Sequence, residues 1–418
     1  MTPSNRAYAE KLDESDPLAG YRDRFASAVS RTIYLDGNSL GQLPLATREA
    51  IAEVVDDQWG RGLVRSWDRW VGLPGEVGDL VGGTLLGAAP GQVLVSDSTT
   101  VNLYKLASAA LDARPGRTVI VTDDDNFPTD RYVLQGIAAQ RGCELRTIHT
   151  DIDSGLSERT LADALGPDVA LVSLSHVAYR SGALADMAAV TGMVHAAGAL
   201  MLWDLCHSIG AVPVELDAAG ADLAVGCTYK YVNAGPGAPA CLYVRRDLQE
   251  SLRQPIWGWF GQADQFGMGP RYQPVAGIDR FATGTPQIIG TVAVREGTRL
   301  LGEAGIERLR AKSTALTSYL IDLADEWLTP YGFRLASPRA ASHRGGHVTL
   351  HHDDAWRISQ ALTAAGVIGD YRTPDRIRLG PAAITTRFTD VFDAMDRLGQ
   401  IAAERSYAKL PAQPARVT

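Results

Sequence analysis

Two stretches decide the fold of this chain: ALMLWDLCHSIG at residues 199–210 and DLAVGCTYKYVNAGPGAP at residues 222–239. Each begins with an apolar run, which is typical of a strand buried on both faces of a parallel sheet. Asp204 ends the first run, and Lys230 lies between the second run and a glycine-proline turn. Open α/β sheets bind ligands at the carboxyl ends of their strands, so we expect both side chains at that edge.

The alternation of strand and helix continues through most of the chain. Predicted strands, separated by helical periods, lie at 92–96, 118–122, 145–149, 170–175, 199–204, 223–227 and 240–244. This pattern predicts an α/β protein whose large domain has a mostly parallel, doubly wound sheet. A long amphipathic stretch at about 291–327, followed by strands at 347–351 and 376–379, predicts a smaller C-terminal α+β domain. We therefore divide the chain into an N-terminal arm (1–45), a large domain (46–290) and a small domain (291–418).

The composition excludes several classes of protein. The chain has 418 residues, of which 45% are hydrophobic and 21% charged, as in ordinary globular proteins. Its formal net charge of −8 provides no basic field for nucleic acid or anionic lipid. No apolar run approaches the roughly 20 residues that span a bilayer. The four cysteines lack CxxC spacing and the N-terminus lacks an apolar signal region, so we expect a cytoplasmic protein with free thiols.

Thr99 and Thr100 follow a predicted strand and begin a helix. Backbone N–H groups and the helix dipole at such a position favour a phosphate group, although plain N-capping explains the same residues. Asp204 is suited to pair with a protonated ring nitrogen, but strand-end aspartates also serve as caps or in ion pairs.

Lys230 is the candidate nucleophile. A lysine fixed between a buried strand and a glycine-rich turn is poorly solvated, which lowers the pKa of its amine, although most lysines are solvated surface residues. A phosphate-binding helix start, a strand-end aspartate and then this lysine is the order expected in pyridoxal phosphate enzymes.

Eight motifs carry a more specific resemblance, which covers the chain from about residue 34 to residue 387. They are YLDGNSLG (34–41), STTVN (98–102), NFPTD (126–130), WDLCHSIG (203–210), TYKYVNAG (228–235), GWFGQ (258–262), FATGTP (281–286) and RIRLGP (376–381). The chain resembles the pyridoxal-phosphate-dependent enzymes of fold type I, the aspartate-aminotransferase type. Within them it resembles the kynureninases, hydrolases that cleave kynurenine to anthranilate and alanine.

This resemblance implies a role for each matching residue. The implied catalytic residues are Lys230, which would carry pyridoxal 5′-phosphate, Asp204, which would pair with its ring nitrogen, and Tyr229, a proton carrier. The implied cofactor-binding residues are Thr99, Thr100, Phe127, Asp130, Ser175, Asp204, His207, Tyr229, Lys230, Trp259 and Thr285. The implied substrate-binding residues are Arg378 at the α-carboxylate and Trp67 and Thr285 near the aryl ring.

The resemblance also implies a homodimer, in which Trp259 and Thr285 reach the site of the neighbouring subunit. The kynureninases that prefer 3-hydroxykynurenine have asparagine where this chain has Thr285, which implies that kynurenine is the better substrate here. Whether the enzyme serves tryptophan catabolism and NAD biosynthesis, or the synthesis of a modified anthranilate, stays open.

Other readings compete with this one. A cysteine desulfurase or selenocysteine lyase needs a nucleophilic cysteine in the C-terminal half, and no cysteine follows Cys241. An aminotransferase shares the lysine and aspartate but not the GWFGQ and FATGTP motifs. A non-catalytic regulator of this fold usually adds a basic DNA-binding domain, for which the N-terminal arm is too short. The histidines His343, His347, His351 and His352 lack acidic or cysteine partners at metal-ligand spacing, so we expect no metal.

Overall fold

The computed structural model describes residues 4–29 and 32–411. Residues 1–3, 30–31 and 412–418, which belong to the predicted arm and small domain, lie outside the described residues. In chain order the α-helices are α1 (Arg6–Glu14), α2 (Leu45–Glu53), α3 (Trp67–Trp70), α4 (Leu73–Val81), α5 (Thr99–Asp112), α6 (Pro128–Arg141), α7 (Glu158–Ala164), α8 (Met187–Ala196), α9 (Arg246–Gln249), α10 (Ile288–Ala304), α11 (Ile306–Trp327), α12 (Ala355–Ala364) and α13 (Phe388–Glu404). Within the described ranges, no helix combines the length and apolar character that a bilayer span requires.

Within the described residues, the strands form three sheets. In chain order they are β1 (Ile33–Tyr34), β2 (Val93–Val95), β3 (Val119–Asp123), β4 (Glu144–Ile148), β5 (Val169–Ser175), β6 (Leu200–Asp204), β7 (Leu223–Gly226), β8 (Cys241–Val244), β9 (Arg334–Leu335), β10 (Val348–His351), β11 (Val367–Ile368), β12 (Asp370–Arg372) and β13 (Arg376–Leu379). A seven-stranded sheet has the order β2-β8-β7-β6-β5-β3-β4, and β8 alone runs antiparallel to its neighbours. A four-stranded antiparallel sheet, β12-β13-β10-β9, belongs to the C-terminal part of the chain.

This architecture confirms the predicted α/β fold class. Each predicted strand of the large domain is present within a residue or two of its expected bounds. The strands β3, β5, β6, β7 and β8 are buried along nearly their whole length, as their apolar sequences predict. The stretch at 291–327 is divided between α10 and α11, because Gly305 has a φ of 83°, which glycine adopts without strain.

Two buried clusters show how the chain segments pack. One cluster fills the space on one side of the seven-stranded sheet. Another joins the four-stranded sheet and helices α11 to α13 to Ala9, Ile33 and Leu35 of the N-terminal segment. Asp13, in the last turn of α1, accepts hydrogen bonds from the backbone of Phe388 and Thr389 at the start of α13. The division at residues 45 and 290 stays a prediction, and the N-terminal segment packs chiefly against the small domain.

Candidate active site

Asp204 and Lys230 meet at the carboxyl edge of the large sheet. Asp204 is the last residue of β6, and Lys230 lies four residues beyond the end of β7; their exposed fractions are 5% and 8%. The Oδ1 atom of Asp204 accepts a hydrogen bond of 2.7 Å from the backbone N–H of Cys206. The Nζ atom of Lys230 lies 3.2 Å from Nε2 of His207, within hydrogen-bond distance. The edge therefore holds a buried carboxylate and a buried amine.

His207 is held as a neutral imidazole. Burial lowers the pKa of His207 well below its ordinary value, and the positive charge of Lys230 lowers it further. A neutral ring nitrogen can accept a hydrogen bond from the Lys230 side chain, whereas a protonated imidazolium ring would repel it. His207 thus fixes the direction of the Lys230 side chain without adding a second positive charge.

Ser175 and Asn126 form a polar wall beside Asp204. The hydroxyl of Ser175, at the end of β5, donates to Oδ1 of Asn126 at 2.8 Å and to Oδ2 of Asp204 at 3.4 Å. The Asn126 amide donates in turn to the hydroxyl of Thr122 on β3 at 3.1 Å. The orientation of the Asp204 carboxylate is therefore set from three neighbouring strands.

Asp130 is a second buried acid in contact with Asp204. Burial raises the pKa of Asp130 well above its ordinary value, and the negative charge of Asp204 raises it further. Its Oδ2 atom has no hydrogen-bond partner among the residues that the structure describes. Two adjacent buried carboxyl groups favour a state in which one of them keeps its proton. Asp130 is therefore a neutral acid that can donate a hydrogen bond into the site.

Two aromatic rings flank the Lys230 amine. Its Nζ atom is 5.9 Å from the ring centre of Phe127 and 5.8 Å from that of Tyr229. Phe127 caps α6 and remains 37% exposed, so one of its faces is free to stack on a planar group. Burial raises the pKa of Tyr229, so its hydroxyl keeps its proton at neutral pH.

The start of α5 approaches the same edge. Ser98 is the N-cap and its hydroxyl accepts the N–H of Val101, while Thr99 and Thr100 occupy the first turn. The hydroxyl of Thr99 lies 3.7 Å from the sulfur of Cys206, two residues after Asp204. The helix N-terminus therefore approaches the site with the Thr99 hydroxyl, a position that favours anion binding.

Arg378 lies on β13 in the small domain and is 1% exposed. It donates to the carbonyl of Tyr179 at 2.6 Å and to the hydroxyl of Ser39 at 2.9 Å, and it forms an ion pair with Asp370. The guanidinium is therefore oriented in advance, and its Nε–H is left without a partner among the described residues.

The motif YLDGNSLG lies between the two halves of the site. Gly41 donates its backbone N–H to the carbonyl of Tyr229 at 2.8 Å, and a Cβ atom there would stand 2.1 Å from the Lys230 carbonyl. At Gly380, beside Arg378, a Cβ atom would stand 1.6 Å from the side chain of Asn38. Both glycines are needed because backbone and side chains approach too closely for any larger residue.

Three predicted site residues lie apart from this group. Trp67 and Thr285 line an open, mostly apolar cavity of about 350 Å³ together with Val54, Trp59, Trp70 and residues 286–290. Trp259 packs edge-on against Phe260, whose ring also contacts Trp67. Among the described contacts, none joins these three side chains to Asp204 or Lys230.

Sequence reasoning missed several polar residues of the site. Ser39 and Asp370 hold Arg378, and Asn126 holds Ser175. His347 is fully buried and its ring centre lies 5.6 Å from that of His207, yet neither of its nitrogens has a hydrogen-bond partner in the described ranges. Burial lowers the pKa of His347, as does the charge of Arg378. Ser39 and Asn126 lie inside motifs quoted above, which was the available signal; His347 and Asp370 had none.

A cluster of His351, Asp353 and Asp375 lies on the small domain. Arg334 contacts the His351 ring at 3.0 Å, and Arg376 forms an ion pair with Asp375. Arg334 and Arg376 therefore already contact two of the three side chains that would have to bind a metal ion.

Solved structures with the same fold share its architecture. A cysteine desulfurase from Thermococcus onnurineus NA1 superposes with a TM-score of 0.81 at 18% identity, covering 92% of this chain and 98% of that one. A C-DES mutant with glycine covalently linked to its PLP cofactor gives a TM-score of 0.78 at 19% identity over 90% and 98% of the two chains. The fold is that of the PLP-dependent enzymes of fold type I. A buried amine, a carboxylate for the ring nitrogen, a free aromatic face and a helix N-terminus for the phosphate fit this cofactor.

The particular family follows from sequence similarity. The chain is 42% identical to the kynureninase of Pseudomonas fluorescens over 98% of both proteins, and 44% identical to that of Burkholderia pseudomallei (strain 1106a) over 95% of both. Residues 309–398 match the kynureninase C-terminal domain family. The chain belongs to the kynureninase family. It is a pyridoxal-phosphate-dependent hydrolase of carbon–carbon bonds that cleaves kynurenine to anthranilate and alanine.

A second pair of buried acids lies behind the polar wall. Asp123 and Asp125 line a small cavity of about 50 Å³ together with Asn126 and Ser175. Burial raises the pKa of Asp123 to about 7, and the charge of Asp125 contributes to the shift. The Asp123 carboxylate accepts the backbone N–H of Asp125 at 2.9 Å, a bond that an amide oxygen can also accept.

Replacement of Asp123 by Asn tests this shift. The folded protein keeps a proton on Asp123 up to pH 7, whereas the unfolded chain loses it near pH 4. Stability is therefore lost as pH rises through that window, and Asp123→Asn removes the loss. We expect the difference in the free energy of unfolding between the variant and wild type to be about 2–3 kcal/mol more favourable to the variant at pH 8 than at pH 5.

Urea unfolding of both proteins at the two pH values measures the difference. Asp124→Asn is the matched control, because His149 and the backbone of Thr150 bond to the Asp124 carboxylate and the pKa of that group is lowered. An equal effect of Asp123→Asn at both pH values would contradict the shift.

Proposed function

We propose that Lys230, Asp204 and Tyr229 are the catalytic residues of kynurenine hydrolysis and that the reaction takes place at the edge where they meet. The observation that carries this proposal is the buried Lys230 amine, 3.2 Å from His207, at the strand edge that also presents Asp204. Bound pyridoxal 5′-phosphate supplies an electron sink for negative charge that develops on substrate carbon atoms.

The surrounding residues bind that cofactor. Asp204 holds a proton on the ring nitrogen, and Ser175 orients the Asp204 carboxylate instead of contacting the phosphate. Phe127 stacks on the ring, and neutral Asp130 donates a hydrogen bond beside Asp204. Thr99 and Thr100, with the dipole of α5, bind the phosphate. His207 lies next to the Lys230 amine.

Lys230 and Tyr229 move protons. The Lys230 amine takes the proton from the substrate Cα, and neutral His207 leaves that amine without an adjacent positive charge. The Tyr229 hydroxyl keeps its proton until it protonates a carbon atom of the product. Its raised pKa suits an acid that donates only to a strongly basic centre.

Arg378 binds the substrate α-carboxylate. Its side chain is buried and its orientation is set by Ser39, Asp370 and the Tyr179 carbonyl. A planar guanidinium presents parallel N–H groups to a carboxylate, which a lysine ammonium cannot do.

The Arg378→Lys variant tests the carboxylate site. We expect kcat/KM for kynurenine to fall by a factor that corresponds to about 2–3 kcal/mol of lost transition-state stabilisation, the value of a charge-assisted hydrogen bond. The absorption spectrum of the cofactor should stay unchanged. Steady-state kinetics and the spectrum of the holoenzyme measure both. Arg372→Lys is the matched control, because Arg372 pairs with the same Asp370. A normal Arg378→Lys enzyme with an impaired Arg372→Lys enzyme would assign the carboxylate to Arg372.

The chain works as a homodimer in which Trp259 and Thr285 reach the site of the neighbouring subunit. Large apolar side chains near these two residues are exposed: Trp59, Leu63 and Val64 are 59%, 59% and 76% exposed, and Phe266 and Met268 are 67% and 73% exposed. Apolar surface of this extent marks an interaction site. Sedimentation equilibrium of the purified protein tests the assignment, since a monomer mass would contradict it.

The cytoplasm is the compartment we propose. Cys143, Cys206, Cys227 and Cys241 are all free thiols, as expected in a reducing environment. Detection of the native protein in a periplasmic or secreted fraction would contradict it.

A preference for unsubstituted kynurenine would place the enzyme in tryptophan catabolism.

Thr285 and Trp67 determine which ring the site prefers. Both line the same cavity, whose lining is otherwise mostly apolar. One threonine hydroxyl is a poor match for a ring hydroxyl that an asparagine amide could both donate to and accept from.

Competition between kynurenine and 3-hydroxykynurenine tests this preference. We expect kynurenine to have the higher kcat/KM, by at most about a hundredfold, because a site that does not bond a hydroxyl rejects it only modestly. Anthranilate and 3-hydroxyanthranilate are separated and quantified. Thr285→Asn should move the ratio toward the hydroxylated substrate. A shift in Trp67→Phe with none in Thr285→Asn would assign the preference to Trp67.

A further inference from the structure

Lys105 is a fully buried lysine with no role in the reaction described above. It lies on α5, six residues after Thr99, and its side chain is 0% exposed. Its Nζ atom contacts Oδ2 of Asp97 at 2.7 Å and the carbonyl of Phe281 at 2.8 Å. A buried ammonium is costly to desolvate, so it persists only where its partners hold it.

Asp97 collects donors from three parts of the chain. Besides Lys105, the hydroxyl of Thr283 donates to its carboxylate at 3.1 Å and the hydroxyl of Ser96 at 3.0 Å. Its backbone carbonyl accepts the N–H of Ala240, at the end of the glycine-proline turn after Lys230. Asp97 has a φ of 53°, a left-handed conformation that aspartate and asparagine tolerate better than most residues.

The contacts of Asp97 extend to two loop segments. Phe281 and Thr283 belong to the motif FATGTP, which contains Thr285. The carbonyl of Thr283 accepts the N–H of Phe260, and a Cβ atom on Gly258 would stand 2.0 Å from it. The motif GWFGQ, which contains Trp259, therefore lies directly against the segment that Asp97 and Lys105 hold.

We propose that Asp97 and Lys105 form a positioning pair that fixes the 281–285 and 258–261 segments to the start of α5. The proposal rests on the function proposed above, in which α5 binds the cofactor phosphate and Trp259 and Thr285 serve the neighbouring subunit. Lys105 also neutralises a carboxylate two residues before Thr99, where an unpaired negative charge would repel a phosphate dianion. One ion pair thus sets the phosphate site of one subunit and the loops that serve the other.

The Lys105→Met holoenzyme tests the pair. Methionine keeps most of the apolar stem but leaves Asp97 without its cation. We expect backbone amides of 258–261 and 281–285 to exchange about tenfold faster, and cofactor to be lost about tenfold faster on dialysis, since one buried charge stays unpaired. Hydrogen exchange with mass spectrometry and the cofactor absorbance measure the two effects.

The Asp97→Asn/Lys105→Met double variant separates the pair from either residue alone. The asparagine amide still accepts from Thr283, and no buried charge is left unpaired, so exchange and cofactor retention should return to within about threefold of wild type. A double variant as impaired as Lys105→Met would overturn the proposal, as would a Lys105→Met enzyme with wild-type exchange and retention.

Lys312→Met is the matched control. Lys312 and Asp16 form another buried pair, at 2.6 Å, between α11 and the N-terminal segment. This variant should lower the melting temperature while leaving exchange in 258–261 and 281–285 unchanged; faster exchange there would overturn the proposal. If Lys105→Met does not fold, Thr283→Val removes a single hydroxyl bond and should still accelerate exchange in both segments, whereas unchanged exchange would refute the pair.

The Thr99→Ala/Thr100→Ala variant distinguishes failure of this inference from failure of the proposed function. Its loss of cofactor with wild-type exchange in both segments supports the phosphate assignment and the separate role of the pair. Full cofactor retention would overturn the phosphate assignment, and with it the part of the inference that concerns cofactor binding.

Discussion

The site depends on holding the Asp204 carboxylate at the end of a strand that is otherwise buried. Moving such a group away from water is costly unless hydrogen bonds and a counter-charge replace the lost solvation. The backbone N–H of Cys206 and the hydroxyl of Ser175 provide the hydrogen bonds. Asp130, whose pKa is raised by burial and by Asp204, adds no second negative charge. A cofactor with a protonated ring nitrogen completes this arrangement, because it brings the cation that a buried carboxylate favours.

A second cluster of charged side chains surrounds Arg378 in the small domain. Arg378 and Arg372 share Asp370, and burial raises the pKa of nearby Asp36 to about 6, with Asp370 contributing to the shift. The motif YLDGNSLG runs between the two clusters, with Gly41 against Lys230 and Asn38 against Gly380. The motif thus contacts both Lys230 and the residues around Arg378. The motif contributes Gly41 beside Lys230 and Ser39 beside Arg378.

Much of this could be predicted from the sequence because the central strands are mostly apolar and three of them, β3, β5 and β6, end in a polar residue. Asp204, Lys230 and Thr99 were found because strand ends in a parallel sheet share one edge. His347 and Asp370 could not be found, since their importance comes from the packing of the small domain against the large one. Ser175 was expected among the cofactor-binding residues, but only the register of β5 beside β6 shows that its hydroxyl faces Asp204. Trp67 and Thr285 share a cavity away from Lys230, a separation that no local pattern indicates.

The proposed reaction depends on Lys230 as the residue that carries the cofactor. The chain has five lysines, at positions 11, 105, 230, 312 and 409, so the attachment site can be assigned without ambiguity. Borohydride reduction of the holoenzyme, followed by proteolysis and mass spectrometry, measures it directly. We expect a pyridoxyl group on the peptide that contains Lys230 and on no other peptide. The same group on Lys105 or any other lysine, or a protein that carries none, would contradict it.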